Sequence, residues 1–570
     1  MQKIKTQIAE ELKKQIDLIN PDTGLDAEAV SLMMEYPPDK TLGDLALPCF
    51  KLSRSLRRSP VQIATQLAEG LSCDAIAECK AVNGYLNIFI SNDFLSAKVV
   101  SEILAKGDDY GKNDVGEGRT VVLDYSSPNV AKPFHLGHLG TTVIGHSLRR
   151  LFEFAGYKCI GVNHLGDWGT SFGKQIVALK TWGDTTKIEE NGVDGLVTLY
   201  QKFHEEAEAR PELFDEARAE FTKLENGDPE NTELWKRCIA VSIAEYQKTY
   251  AQLDIEFDYY TGESFYTDKM PAQVERMREK GLLKLDDGAS IVDLADYNMP
   301  PCLILKRDGS TLYPTRDISA AVYRHDTFDF DRCVYVTSAG QSLHFAQWFK
   351  VVELMGYDWA NKLVHVPYGT MSIGGAKLGT RSGNVVWLKQ LLNMSIDKVR
   401  DVINEKNPDL PNKEQVAEEV GVGAIVFNYL LNSRIKDISF DLEAALDFNG
   451  NTGPYVQYTY ARCCSILEKA TAIPESVELS LTEESESALV KTLSRFPEKV
   501  NDALSQYEPS VITRYILDVA SAFNRFYHDC QILSADDEKI RNTRILLTKA
   551  TKTVLGNAFG LICLKKPEKI

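Results

Sequence analysis

Two histidines set three residues apart, His135-Leu136-Gly137-His138, are the strongest chemical signal in this 570-residue chain. They follow a short β-branched run, Thr120–Leu123, and precede a helical pattern, which places them at the carboxyl end of a strand and the start of a helix. A helix amino terminus offers unpaired N–H groups and a positive dipole end to phosphate. Two imidazoles add hydrogen bonds to phosphate oxygens as charge builds in a transition state, and Gly137 lets a ligand approach the backbone. Lys132 and Pro133 stand immediately before the pair, so a cation is available to the same phosphates. Far downstream, Gly374-Gly375-Ala376-Lys377-Leu378-Gly379-Thr380-Arg381-Ser382-Gly383-Asn384 is a glycine-rich basic stretch suited to transient neutralisation of a polyphosphate. Alone it is an ordinary solvated turn. Together with the histidine pair it implies nucleotide chemistry.

The elements that must hold these residues follow from hydrophobic patterning. After Thr120–Leu123 comes a Ser-Ser-Pro-Asn turn, then a helix with Leu139, Val143, Leu148, Leu151 and Phe152 on one side, then a second strand from Tyr157 to Val162. A strand–loop–helix–strand unit implies a parallel sheet, and open parallel sheets bind ligands at the carboxyl ends of their strands. Cys302–Leu305, Cys333–Val336 and Leu363–Val366 are expected to supply further strands to it. Residues from about 175 to 295 are acidic and mostly helical, like an insertion, and from about 390 onward helical periodicity dominates. The expected fold is therefore α/β: a Rossmann-type parallel-sheet catalytic domain at 116–390 with that helical insertion, a small α+β amino-terminal domain at 1–115, and an all-α carboxy-terminal bundle at 391–570.

Composition narrows the class. Hydrophobic residues at 44% and charged residues at 25% describe an ordinary globular protein with no stretch suited to spanning a membrane. Ile4, Ile8, Leu12 and Ile16 recur every four residues among charges, which makes the first segment an amphipathic helix and not a secretion signal. A cytoplasmic protein is expected. The eleven cysteines are scattered without a CxxC pair, so they read as small buried hydrophobes, and no metal site or structural zinc is expected. The formal charge of −17 argues on its face against nucleic acid, but net charge does not describe a local face. Lys51, Arg54, Arg57 and Arg58 form one basic cluster that also suits a solvated helix.

The histidine motif resembles the first signature of class I aminoacyl-tRNA synthetases, and Lys377 onward resembles a degenerate second signature. The longer string from Asp124 to Leu139, DYSSPNVAKPFHLGHL, is similar to the arginyl-tRNA synthetases, as are Asn163–Gly169 (NHLGDWG), Tyr313–Asp317 (YPTRD) and Gly340–Phe345 (GQSLHF). The resemblance extends from Gly84 to Cys530 in order and spacing. It implies activation of L-arginine by ATP with Mg2+, then transfer to the terminal adenosine of tRNA(Arg), by a monomer that depends on bound tRNA for activation. It also implies roles. Ser127, Asn129, His138 and Gln341 would meet the amino acid's α-amino and carboxylate groups, and Tyr313, Asp317 and Asp124 its guanidinium. His135, Gly137, His138, Lys132, Lys377 and Arg381 would meet ATP, with His135, His138, Lys132 and Lys377 as the catalytic set. His164, Trp168 and His344 would brace the pocket.

In the helical tail, Gly453–Arg462 and Phe523–Cys530 are similar to helices of the family's anticodon-binding domain. Tyr455, Tyr458, Arg462, Phe526 and Tyr527 would then face tRNA, because aromatics beside arginine stack on unpaired bases. The run GYLNIFI at Gly84–Ile90 would bring Asn87 and Phe89 to the outer corner of the tRNA. There are departures. The second signature ordinarily ends in Lys-Ser where this chain has Thr380-Arg381, and its middle Ser is Gly379, so Lys132 is expected to carry part of that charge work. The chain ends Pro567-Glu568-Lys569-Ile570 where Pro-Glu-Arg-Met is common. Rival readings are another class I synthetase, a small-molecule nucleotidylyltransferase with an HxGH loop, and a synthetase-like RNA-binding or regulatory protein. The first would need zinc ligands or a large editing domain. The second would not need the helical tail. The third is disfavoured by retention of the histidine pair, Lys377 and Asp317.

Overall fold

The computed structural model describes residues 1–373, 376–377, 387–474 and 479–570. The first helix runs Gln2–Ile19 and buries Ile4, Ile8, Leu12 and Ile16. Beyond it lies a three-stranded antiparallel sheet with Tyr85–Ile90 in the middle, flanked by Leu45–Pro48 and Ile76–Val82. The helix Pro60–Gly70, with proline in its first turn and a Ser59/Gln62 capping box, packs against it.

Five strands form a parallel sheet in the order Leu363–Tyr368, Arg332–Ser338, Thr120–Asp124, Lys158–Asn163, Tyr259–Tyr260. Numbered along the chain the order is 5-4-1-2-3, so the winding reverses between Thr120–Asp124 and Arg332–Ser338. That reversal opens a crevice at the carboxyl ends of these two strands, the place where such sheets bind ligands. Thr120–Asp124 is buried at four of its five residues, as a strand covered by helices on both faces must be.

Two long excursions leave the sheet. Between Asn163 and Tyr259 the chain forms the helices Thr170–Trp182, Ile188–Ala209, Leu213–Glu225 and Pro229–Leu253. Between Tyr260 and Arg332 it forms the helix Met270–Glu279 and a separate antiparallel sheet of Leu283–Asp286, Ala289–Val292 and Cys302–Leu305. Cys302–Leu305 is therefore a strand, but not of the parallel sheet. Its pattern explains this: Cys302 and Ile304 are buried while Leu303 is 41% exposed, the alternation of a strand with one wet face. The segment expected to be helical to about 295 likewise contains two strands of this sheet.

Seven helices of ten or more residues follow residue 387 among the described residues: Leu388–Lys406, Lys413–Leu431, Gly453–Lys469, Glu484–Leu493, Phe496–Gln506, Ser510–Asp529 and Glu538–Leu561. One strand interrupts them. Ile438–Phe440 pairs in parallel with Met371–Ile373, which in turn pairs with Ala376–Lys377. Three residues are too few for a period-2 pattern to be read from sequence. Inside the bundle, Arg544 Nε bonds Glu486 Oε1 at 2.7 Å, and the carboxylate of Glu486 also accepts the Thr482 and Glu483 N–H groups. Eight of the eleven cysteines are buried and none is joined to another. Among the described residues no helix is long and apolar enough to cross a membrane.

The helix Gly137–Phe154 lies under the crevice and buries most of its length. On it His146 is 6% exposed, with Nδ1 2.9 Å from the Tyr125 hydroxyl, and burial, then Arg150 and Arg149, push its pKa down to about 3. The unfolded imidazole protonates below about pH 6.5 while the folded one stays neutral, so the unfolded state binds the extra proton. Stability should consequently fall as pH drops from about 6.5 toward 3, by up to about 1.4 kcal/mol per pH unit from this group. Urea midpoints at pH 7.5 and 5.5 check this: the drop should be smaller in His146→Gln than in the unsubstituted protein. An equal drop would remove His146 as a cause.

Candidate active site

The loop from Asp124 to His138 leaves the first parallel strand at the crevice. Its backbone is unusual, with φ of 72° at Ser126, 48° at Ser127 and 59° at Ala131. Left-handed non-glycine residues cost of order 1–3 kcal/mol each and persist only where surroundings over-determine them. Here one helix, Pro229–Leu253, supplies much of that restraint through three residues at four-residue spacing. Ser242 Oγ accepts from Ala131 N (3.0 Å), Tyr246 Oη donates to the carbonyls of Asn129 and Lys132 (2.7 Å each), and Tyr250 Oη lies 2.7 Å from Ser126 Oγ. Ser126 N also donates to Thr141 Oγ1 (2.9 Å). These supports were not legible as functional in the sequence, since an i, i+4, i+8 stripe of Ser and Tyr reads as any buried helix face.

The two signature histidines stack, with ring centroids 3.8 Å apart at 28°. Nδ1 of His135 accepts the Gly137 N–H (3.0 Å), and Nδ1 of His138 accepts the His135 N–H (3.3 Å). With both Nδ1 atoms acting as acceptors, each neutral ring carries its proton on Nε2 and presents a donor. Burial, then the His135 charge, pushes His138 down to about 3. Burial, then Lys132, lowers His135 as well, and burial lowers Lys132. The pair thus presents two neutral N–H donors, a form suited to developing negative charge without a proton transfer. A Cβ at Gly137 would come within 2.8 Å of the His135 ring, so any other residue there would have to displace that imidazole.

Lys132 has no carboxylate partner among the described residues, and its Nζ stands 6.0 Å from the Tyr200 ring. Its charge lies close enough to the histidine pair to act on both rings. Trp387 bridges His135, and Leu388 N donates to the Phe134 carbonyl (3.0 Å), so the chain just after the glycine-rich stretch is anchored at the first signature. Of that stretch, the Lys377 backbone pairs with Ser372, while Arg381 lies outside the described residues.

The opposite wall comes from the helices Tyr313–Phe328 and Ser342–Leu354. Asp317 Oδ2 is 2.6 Å from His344 Nε2, which ties the two helices together, and Tyr313 is 64% exposed at the first turn. Gln341 and Asn129 are exposed, and Ser127 is half-buried. Thr141 Oγ1 donates to the Val336 carbonyl (2.6 Å), locking the signature helix to the strand that leads to Gln341. Asp124 closes the first parallel strand at the same crevice. Its carboxylate receives Arg324 Nη2 on Oδ2 at 2.8 Å and Ser127 Oγ on Oδ1 at 2.9 Å, which leaves each oxygen a further acceptor site. Two hundred residues of sequence separate Asp124 from Arg324, so no local pattern could show the pairing. His164 Nδ1 lies 3.5 Å from Arg324, and Trp168 packs edge-on against Trp235 and Phe221. Among the described residues no group of three His, Cys, Asp or Glu could hold a metal ion.

In the carboxy-terminal bundle, the Arg462 guanidinium sits between two exposed rings, 5.0 Å from Tyr458 and 4.8 Å from Tyr527. Asn524 steadies the set, donating to Tyr455 Oη (3.0 Å) and accepting from Arg462. Phe526 is a correction. It is fully buried, because it shares the inward face of Ser510–Asp529 with Ile512, Ile516, Val519 and Phe523, while Tyr527 is one step round the helix. Asn87 is a second correction: at 4% exposure in the central strand of the amino-terminal sheet, it presents little surface to a base. Phe89 is half-buried under Lys80, whose Nζ is 4.8 Å from the ring.

Comparison with known proteins agrees with this geometry. The profile described as "tRNA synthetases class I (R), catalytic domain" matches residues 99–442, the "DALR anticodon binding domain" 456–570, and the "Arginyl tRNA synthetase N terminal domain" 2–90. Arginine–tRNA ligases of Alkaliphilus metalliredigens and Clostridioides difficile are 49% and 47% identical over 573 residues, covering 100% of both chains in each case. The Thermus thermophilus arginyl-tRNA synthetase structure superposes with a TM-score of 0.83 at 25% identity, covering 98% of this chain and 99% of that one. With class I sheet topology, stacked signature histidines and matches of this extent in hand, the chain belongs to the arginyl-tRNA synthetases, a class I family of arginine–tRNA ligases.

Proposed function

We propose that the protein activates L-arginine with ATP to arginyl-adenylate and transfers the arginyl group to the terminal adenosine of tRNA(Arg). The observation that carries this reading is the pairing of two neutral Nε2–H donors at one helix start with Lys132, which has no carboxylate partner among the described residues, in the crevice where the sheet order reverses. Such a site suits a pentavalent α-phosphate. The arginine carboxylate attacks phosphorus, pyrophosphate leaves, and Lys132, His135, His138 and the Lys377–Arg381 loop hold the phosphate oxygens. No enzyme nucleophile is required, since positioning and charge neutralisation supply the catalysis. Ser127, Asn129, His138 and Gln341 receive the α-amino and carboxylate groups, and Asp317 beside Tyr313 receives the guanidinium. Mg2+ enters with ATP, zinc has no part, and the enzyme works as a cytoplasmic monomer. In this reading residues 1–115 and 391–570 grip the tRNA while 116–390 carry out the chemistry.

The test is charging of bulk tRNA with each proteinogenic amino acid in turn, where only arginine should be esterified. Arginine-dependent pyrophosphate exchange should be weak alone and rise when tRNA is added. Charging of a different amino acid would refute the assignment. Full exchange without tRNA would refute only the dependence.

The exposed Tyr458–Arg462–Tyr527 sandwich supports a base-stacking platform for the anticodon loop. Base stacking on such groups is worth about 1–3 kcal/mol per base, so Arg462→Ala should raise the KM for tRNA about tenfold or more. Pyrophosphate exchange at saturating tRNA should hold its kcat. Unchanged KM for tRNA would take the sandwich out of the interface.

A further inference from the structure

Arg434 joins the parallel sheet to the carboxy-terminal bundle. It lies between the helices Lys413–Leu431 and Gly453–Lys469, in the segment that carries the short strand Ile438–Phe440. Its Nη1 donates to the carbonyl of Pro367 (2.6 Å), in the last strand of the parallel sheet. Its Nε donates to the carbonyl of Tyr507 (3.0 Å), which caps the bundle helix Phe496–Gln506. The Arg434 N–H and the Ser433 hydroxyl both donate to the carboxylate of Glu508 (3.2 and 3.0 Å). Because its donors are rigidly forked, a guanidinium set on two carbonyls fixes direction as well as distance.

Each contact lies at the end of an element with a task elsewhere. Just beyond Pro367, the Gly369 N–H donates to the Arg434 carbonyl (2.8 Å), and a Cβ at Gly369 would come within 2.4 Å of the Lys436 carbonyl oxygen. The two segments therefore approach as only glycine allows. Thr370 then donates from N and Oγ1 to Asp437 Oδ1 (2.7 and 2.9 Å), and Met371–Ile373 pairs with Ile438–Phe440. The glycine-rich stretch begins where this strand ends. On the other side, Tyr507 has a left-handed φ of 51°. Arg332 Nη1 donates to its hydroxyl (2.8 Å), and the Phe152 ring stands 6.0 Å from its own. From that corner departs the helix Ser510–Asp529, which about 25 Å further on, at 1.5 Å per residue, brings Tyr527 to Arg462. Arg434 holds the start of the proposed phosphate loop on one side. On the other it holds the foot of the helix that ends at the proposed base-stacking platform.

We propose that Arg434 is a positioning residue for the second signature: it fastens the strand that starts the Gly374–Asn384 stretch to the helix that presents Tyr527, so that tRNA gripped by the bundle sets the start of the loop that meets ATP. The inference rests on the proposed function. Rigid elements and hydrogen-bonded junctions can carry coupling between distant sites, and Arg434 supplies the junction between these two.

Pyrophosphate exchange with and without tRNA reads the junction. Arg434→Gln should lower kcat at saturating tRNA by at least about tenfold, the scale of one hydrogen bond from a charged group. The KM values for arginine and tRNA should stay within about threefold, since Arg434 touches neither. The ratio of exchange with tRNA to exchange without it should fall at least about fivefold. Arg434→Lys, whose single ammonium can keep one of the two carbonyls, should recover part of the loss. The proposal is overturned if folded Arg434→Gln keeps the kcat of the unsubstituted enzyme. It is equally overturned if exchange falls by the same factor with and without tRNA, because Arg434 then only props the fold. Should Arg434→Gln fail to fold, Arg434→Lys carries the test, and an unchanged ratio in it refutes the role. Full exchange by the unsubstituted enzyme without tRNA overturns the proposal as well, since the junction then has nothing to transmit. Absence of any arginine-dependent exchange in the unsubstituted protein would instead refute the proposed function.

Discussion

Asp317→Asn should lower kcat/KM for arginine by roughly 10²- to 10⁴-fold, the equivalent of about 3–5 kcal/mol for a desolvated charge pair broken on one side. A guanidinium is planar, permanently charged and forked, with five N–H donors that match carboxylate oxygens in paired bonds. Asp317 sits on the first turns of its helix, half-buried, with Oδ2 held 2.6 Å from His344 Nε2. That contact orients the carboxylate and leaves Oδ1 for an incoming donor. Lysine presents one compact ammonium and citrulline a neutral carbonyl facing a carboxylate, and each leaves the half-buried acceptor poorly paired once the pocket is filled. Discrimination of about 10⁴-fold follows without an editing site. The amide of Asp317→Asn can donate to the citrulline oxygen, so the substitution should also narrow the gap between the two amino acids. ATP affinity should stay within about threefold, since His135, His138 and Lys132, the proposed phosphate ligands, belong to the loop and helix that follow the first parallel strand. The measurement is pyrophosphate exchange with tRNA present, comparing both amino acids. Arginine kinetics untouched by the substitution would remove Asp317 from the pocket.

Lys132→Ala should slow activation by at least about 100-fold, the scale of losing one preorganised electrostatic group in a shielded site. Lys132 stands beside the stacked histidines, without a carboxylate partner among the described residues, and burial already lowers its pKa. An unpaired, partly desolvated ammonium is unfavourable until an anion arrives, so the site is primed for phosphate. The chain has Thr380-Arg381 where the second signature usually ends in Lys-Ser, which leaves more of the neutralisation to Lys132. Single-turnover formation of adenylate measures the effect. A change below fivefold with ATP binding intact would assign Lys132 a structural role.

The chemistry of the site was written locally. The string from Asp124 to His138 specifies a turn that only a few residue types tolerate, and a helix start whose N–H groups need no distant partner to point at a ligand. The parallel strand Thr120–Asp124, the helix Gly137–Phe154 and the buried stripe Ile4–Ile16 were likewise readable, because a short β-branched run and period-3.6 burial depend on neighbours in sequence. Tertiary structure decided what depends on distant partners or on helix phase. Phe526 and Tyr527 are adjacent and equally aromatic, yet one step of about 100° sends the first into the core and the second into solvent. Cys302–Leu305 reads as a strand either way, and only its pairing partner puts it outside the parallel sheet. Ser242, Tyr246 and Tyr250 hold the signature loop from more than a hundred residues away. The Asp124–Arg324 pair shows the reason most plainly: a carboxylate can be recognised from its motif, but the cation that the folded chain places against it comes from two hundred residues away.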